Sequence, residues 1–327
     1  MSNPNSSHSL LVNETMDIFT GLSPTAEIMF LSIIMITALL GNFFNLWTIY
    51  LTPSLRTYSN VLLSAIAIND FLTSLFVIPF LIAMVCIGNH NSLCQLQGFL
   101  ISIFNGASFM LSVAISVERC HAVVAPFTYI RQTSARNYAL GVVTCYIGPL
   151  ILAIMPLLSL ENRGFGRYYH LTTCWLPFHV NSRNDAINTA YAISVSITVA
   201  VIISCNLIQF VIAYNKAFKD RNRYQSILIP LRTISLIVGT NVLCWLPFNV
   251  LLLNGVIRYW CNESDHTVNK SLAQIALILT YCNIAINPII FVATNSELRK
   301  NLPLPVCTYY NRDKVVPFVR TRILFNV

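Results

Sequence analysis

The chain has 327 residues, of which 55% are hydrophobic and only 10% are charged, and its formal net charge is +8. Soluble chains carry roughly 25% charged residues, so the composition excludes a soluble domain and points to a polytopic membrane protein. Long continuous apolar runs, in place of short alternating segments, favour helices over a β-barrel.

Residues 1–26 are polar and carry Asn5 and Asn13 in glycosylation sequons. They hold no basic segment followed by an apolar core, so no cleaved signal peptide is expected and the first span would direct insertion. Charge-poor runs then fall at Ile28–Tyr50, Tyr58–Ile87, Leu96–Val117, Tyr138–Leu160, Ala186–Tyr214, Thr233–Ile257 and Ser271–Thr294. The expected division is an extracellular glycosylated N-terminus over 1–26, a seven-helix membrane domain over 27–302 and a cytoplasmic tail over 303–327. No internal repeat is visible, which disfavours a duplicated transporter.

The third run organises the rest. Cys94 and Arg119 lie 25 positions apart, ~37 Å of helix at ~1.5 Å per residue, enough to cross a hydrocarbon core of ~30 Å. Ser102, Asn105, Ser108, Ser112 and Ser116 recur three and four residues apart, which predicts one polar face turned into a bundle. At its end stands the pair Glu118–Arg119.

Basic residues orient the bundle. Of 20 Lys and Arg, only Arg163, Arg167, Arg183, Arg258 and Lys270 fall on one side. The positive-inside rule therefore predicts an outside N-terminus. The charge is then an inner-face property, suited to anionic lipids and a cytoplasmic partner, and it is no sign of nucleic acid. The sequons at Asn5, Asn13, Asn262 and Asn269 all lie on the side assigned to the exterior. Cys86, Cys94, Cys174 and Cys261 lie at or near the outer face, where disulfides form. Cys94 with Cys174 is the favoured pair, and Cys86 with Cys261 is left open. Cys307, just past the last run, is a candidate for palmitoylation.

The ordered motifs resemble the rhodopsin-like (class A) G-protein-coupled receptors. They are Gly41–Asn42, Asp70 in LSAIAIND, Cys94 with Glu118–Arg119–Cys120, Pro126 seven residues on, Tyr214, Cys244–Trp245–Leu246–Pro247, and Asn287–Pro288–Ile289–Ile290–Phe291. The resemblance implies an all-α seven-helix bundle with a short amphipathic helix after the last span. It implies a plasma-membrane receptor that passes binding of an extracellular ligand to a heterotrimeric G protein, with no catalytic residues. It groups Asp70, Ser108, Asn283 and Asn287 into a polar network able to hold an allosteric sodium ion; no other metal or cofactor is expected. It makes Glu118, Arg119, Tyr214, Trp245, Pro247 and Phe291 an activation switch, and Arg119, Pro126 and Phe127 the G-protein contact. Departures are Glu-Arg-Cys for Asp-Arg-Tyr, Phe291 for a tyrosine, no tryptophan in the fourth span and no proline in the fifth. With no acid near the inner end of the sixth span (Gln225–Leu228), basal activity is expected.

A finer resemblance is to prostanoid receptors, in GFGRYYHLTTCW (Gly164–Trp175), VERC (Val117–Cys120) and SCNL (Ser204–Leu207). It implies that Thr172 binds a lipid carboxylate. The arginine those receptors carry in the seventh span is replaced near Ile278. No acid stands where amine receptors keep one (Ile101), and no lysine in the seventh span could hold retinal. The candidate pocket is Ile101, Ser102, Asn105, Thr172, Trp245, Asn249, Gln274 and Tyr281. A peptide or other small-molecule receptor, a decoy receptor and a transporter are the rival readings.

Overall fold

The structure is a computed structural model that describes residues 22–87, 91–158, 160–170, 174–176, 180–219, 221–262 and 270–301. Asn5, Asn13, Thr172, Asn269 and Cys307 lie outside the described residues, as does the side chain of Tyr214.

The elements are α1 (Pro24–Leu51), α2 (Tyr58–Leu72), a π-helical turn (Thr73–Val77), α3 (Ile78–Ile87), α4 (Asn91–Val124), α5 (Pro126–Gln132), α6 (Ala135–Ile154), β1 (Tyr169–His170), β2 (Cys174–Trp175), α7 (Asp185–Lys219), α8 (Arg221–Trp260), α9 (Lys270–Thr294) and α10 (Ser296–Asn301). Among the described residues, seven helical segments are long and apolar enough to cross a membrane, with α2, the π turn and α3 forming one of them.

The helices outrun the charge-free runs. α4 continues through Glu118 and Arg119 to Val124, and α8 begins at Arg221, twelve residues before the predicted Thr233. Charge ends a membrane-buried stretch, but Lys, Arg and Glu are good helix formers. The π turn directly precedes Pro79, whose ring would clash with the carbonyl of Leu75 in a regular α-helix. Ile78 donates to the carbonyl of Thr73 instead, which widens the turn.

α4 is the hub. It packs against α2, α3, α5, α6, α7 and α8, while α9 packs between α1 and α8. The polar face expected of α4 is inside: Ser102, Asn105, Ser108, Ser112 and Ser116 are all buried. The outward faces are apolar, as on α6 with Leu140, Val143, Ile147 and Ile151 exposed, which suits hydrocarbon surroundings. α10 is the short amphipathic helix: Leu298 is buried, Lys300 is exposed, and Asn295 caps the start by accepting from Leu298 N at 3.1 Å.

Candidate functional site

At one end of the bundle the β hairpin is tied to α4. Cys94 and Cys174 form a disulfide, and Cys86 and Cys261 are both free and exposed. Gln95 Nε2 donates to Tyr168 O at 2.8 Å, and Cys174 N donates to Gln97 Oε1 at 3.4 Å. The Tyr168 hydroxyl donates toward Ala153 O at 2.9 Å and lies 3.1 Å from Ser102 Oγ. Burial pushes the Tyr168 phenol well above its usual range, so it remains a donor. Gly98 makes this docking feasible, because a Cβ there would lie 2.3 Å from the tyrosine ring.

Beneath the hairpin lies a cavity of about 130 Å³ bounded by α4, α6, α7, α8 and Trp175. Of the predicted pocket residues, Ser102, Asn105 and Trp245 line it. Trp245 stacks edge-on with Phe109 at 4.6 Å and Phe248 at 5.6 Å between ring centroids, and Trp175 meets Phe248 at 5.4 Å. Asn105 is 5% exposed and its Nδ2 has no partner among the described residues.

Thr172 is outside the described residues, and Ile101, Asn249, Gln274 and Tyr281 are not among the cavity's walls. Ile101 is fully buried in the main core. Asn249 and Tyr281 are buried, with Asn249 Oδ1 and the Tyr281 hydroxyl unpartnered among the described residues. Gln274 Nε2 donates to Glu27 Oε2 at 2.7 Å, joining α9 to α1. Sequence reasoning missed Thr198, Tyr191, Phe248 and Trp175 as cavity walls. Phe248 could have been found, since it lies three residues after Trp245 and so shares its helix face.

In the middle of the bundle Asn287 Nδ2 donates to Asp70 Oδ2 at 2.7 Å. Asp70, Ser108, Asn283 and Asn287 are all buried, and Asp70 Oδ1, Ser108 Oγ, Asn283 Oδ1 and Asn287 Oδ1 lack partners among the described residues. These are hard oxygen donors, which fit an alkali cation and not a thiolate- or imidazole-seeking metal. Nearby, Tyr146 donates to Asn69 Oδ1 at 3.1 Å and Asn69 Nδ2 to Phe104 O at 3.0 Å. Tyr146 thereby links α6 to α2.

Toward the opposite end, Asn241 Nδ2 donates to Ser112 Oγ, and Gln209 Nε2 donates to Ser116 O at 3.2 Å. The polar face of α4 is thus bonded to both α8 and α7. Arg119 Nε lies 3.1 Å from Glu118 Oε2. Glu118 Oε1 also accepts from the hydroxyls of Tyr129 at 2.6 Å and Tyr138 at 2.8 Å. Burial, with the Glu118 carboxylate beside it, raises the pKa of Tyr129 and keeps it a donor. Pro126 and Phe127 begin α5, and Phe127 is 89% exposed. Pro247 sits inside α8, and Phe291 packs in an apolar cluster with Ile49, Leu55 and Leu298. Asn262, an exposed sequon residue, adopts the left-handed conformation (φ 56°) that asparagine tolerates.

Comparison with known proteins agrees with this arrangement. The profile of the 7 transmembrane receptor (rhodopsin family) matches residues 41–291. G-protein coupled receptor 3 of Mus musculus is 24% identical over 273 residues, covering 82% of this chain and 77% of its own length. Adenosine receptor A3 of Ovis aries is 24% identical over 265 residues, 78% of this chain and 81% of its own. Adenosine receptor A2a of Homo sapiens is 20% identical over 288 residues, 82% of this chain and 68% of its own. The chain belongs to the rhodopsin family of seven-transmembrane receptors, multi-pass plasma-membrane proteins that signal through G proteins and are not enzymes.

Proposed function

We propose that the chain relays binding of an uncharged, largely apolar small molecule in the cavity beneath Trp175 to a heterotrimeric G protein at the Arg119 end of α4. The observation that carries this reading is the cavity itself: it is walled mostly by aromatic and aliphatic side chains, has Trp245 on one wall, and is lined by no charged residue among the described residues. The few polar groups among its walls would set the orientation of a small ligand. The N-terminus is taken as extracellular, which puts the Cys94–Cys174 hairpin in an oxidising space.

A carboxylate ligand of prostanoid type fits less well. Arg167, a cation of the hairpin region, pairs with Glu161 at 2.6 Å, and Ile278 offers no charge. The adenosine receptors among the relatives are consistent with a small uncharged ligand.

In this mechanism Glu118 holds Arg119 in the resting state. Ligand contact with Trp245 favours an outward swing of α8 about Pro247, and Arg119 turns toward Tyr214 and the G protein. Phe291 packs the inner end of α9, and Pro126 with Phe127 meets the partner. A sodium ion held by Asp70, Ser108, Asn283 and Asn287 would favour the resting packing.

The test is G-protein activation in cells by wild type, Arg119→Ala, Trp245→Ala and Phe127→Ala. Basal or ligand-driven signal should fall sharply in Arg119→Ala and Phe127→Ala at equal surface expression. Full signalling in Arg119→Ala would overturn the switch.

A further inference from the structure

We infer that the cavity is loaded sideways from the bilayer, through a gap between α6 and α7, and that its ligand is an uncharged single-chain lipid of the monoacylglycerol kind. The inference rests on the cavity being the ligand site, as proposed above, and adds the route and the chemical class.

Three observations point to the gap. α6 packs on α4 and α2, and α7 packs on α4 and α8, but α6 and α7 scarcely meet. Gly148 on α6 lines the cavity and is nevertheless exposed, and a Cβ built there would meet no atom within 4 Å. Across from it, Ser194 and Val195 on α7 line the same cavity and are only half-buried. The cavity therefore opens on the side of the bundle.

The depth of this mouth decides what it opens to. The α6 span runs from Ala135 to Leu158, 24 residues. Gly148 lies ~20 Å from one end and ~15 Å from the other at ~1.5 Å per residue, well inside a ~30 Å hydrocarbon core. The surface around it is apolar, with Ile147 and Ile151 on α6 and Ile193 and Ile197 on α7 all exposed. At the end of the cavity toward the hairpin stands Trp175, which is 5% exposed.

The lining sets the class. Aliphatic and aromatic walls suit one part of an acyl chain, the remainder of which would lie in the open side between α6 and α7. Asn105 Nδ2, buried and unpartnered, offers a hydrogen bond to an ester or hydroxyl oxygen. A fatty acid or a phospholipid would bring charge into a site with no counter-charge among the described residues, which is costly in a desolvated setting.

The experiment measures binding of tritiated 1-oleoylglycerol, preloaded into phosphatidylcholine nanodiscs, to the purified full chain without a G protein. Oleic acid is the charged comparison. Binding is read apart from coupling, so failure of the signalling mechanism and failure of this route are distinguishable. Saturable binding should appear with the glyceride and not with the acid, and Asn105→Leu should weaken it about tenfold, as loss of one buried hydrogen bond implies. Gly148→Phe and, on the facing helix, Ser194→Trp should each slow association and dissociation together several-fold. Thermal unfolding checks that both variants are folded. Unchanged rates in both folded variants overturn the lateral route while leaving the cavity as the ligand site. Absence of saturable glyceride binding to wild type, or preference for the acid, overturns the ligand class.

Discussion

Asn42 on α1 donates to the carbonyl of Ile284 on α9 at 3.2 Å, and that carbonyl is the one Pro288, four residues later, leaves without its helical donor. Asn45 similarly donates to the carbonyl of Pro288 at 3.3 Å. Gly41 allows the approach, because a Cβ there would sit 2.8 Å from the proline ring. The first and last spans are thus joined where the last one lacks a backbone bond. Asn42→Leu should strand a buried carbonyl and cost ~1–3 kcal/mol. A lowered melting temperature in detergent, with α1 first to become protease-sensitive, is the expected reading.

The disulfide holds the cover of the cavity. Cys94 and Cys174 are separated by 80 residues in sequence, and removing a crosslink of that span typically costs ~2–5 kcal/mol. Cys94→Ser together with Cys174→Ser should lower thermal stability and weaken ligand binding more than it weakens basal coupling, because Trp175 is released while Arg119 is untouched. Equal loss of both in radioligand and nucleotide-exchange assays would show that the hairpin supports the whole bundle.

Asn241 and Ser112 tie α8 to α4 inside the bundle. If α8 swings outward on activation, this bond belongs to the resting state alone. Asn241→Leu should then remove ~1 kcal/mol from the resting side, raising basal G-protein turnover roughly fivefold where the active state is a minor one. Nucleotide exchange without ligand measures it, and a fall in basal rate would assign the bond to the active state.

Sodium should be visible as a ligand of the resting state. Replacing choline by sodium at constant ionic strength should raise the melting temperature of wild type and depress its basal signal. Asp70→Asn, which keeps the size and hydrogen-bonding capacity of the side chain, should abolish both effects. A sodium response that survives in Asp70→Asn would move the ion elsewhere.

Much of the architecture was legible from charge alone, because an ionised side chain in hydrocarbon is expensive and its absence marks a span. The buried face of α4 was legible because five polar residues recur at helical spacing, and the pairing of Asp70 with Asn287 followed from the motifs. Helix ends were not, since Arg221–Arg232 is charged and still helical. The cavity was read only in part. Ser102, Asn105 and Trp245 line it, but Gln274 bonds Glu27, an acid that sequence reading placed merely at the edge of the membrane domain. Which helices lean apart is set by packing between remote segments, and no local period encodes it. Tyr191, Ser194 and Thr198 look like any other residues of an apolar run until α6 and α7 are seen to stand apart.

The π turn at Thr73–Val77 has a consequence for how the second span can vary. A π turn amounts to one residue inserted into an α-helix, and each residue advances the helix by about 100°. The segment Ile78–Ile87 is therefore rotated relative to the segment that carries Asp70. Gain or loss of a single residue at this point would turn the face that α3 presents to α1 and α4 while leaving Asp70 in register with Asn287. The two halves of the second span can thus be altered independently, one half contributing to the shape of the bundle near the Cys94–Cys174 disulfide and the other keeping the polar centre in place.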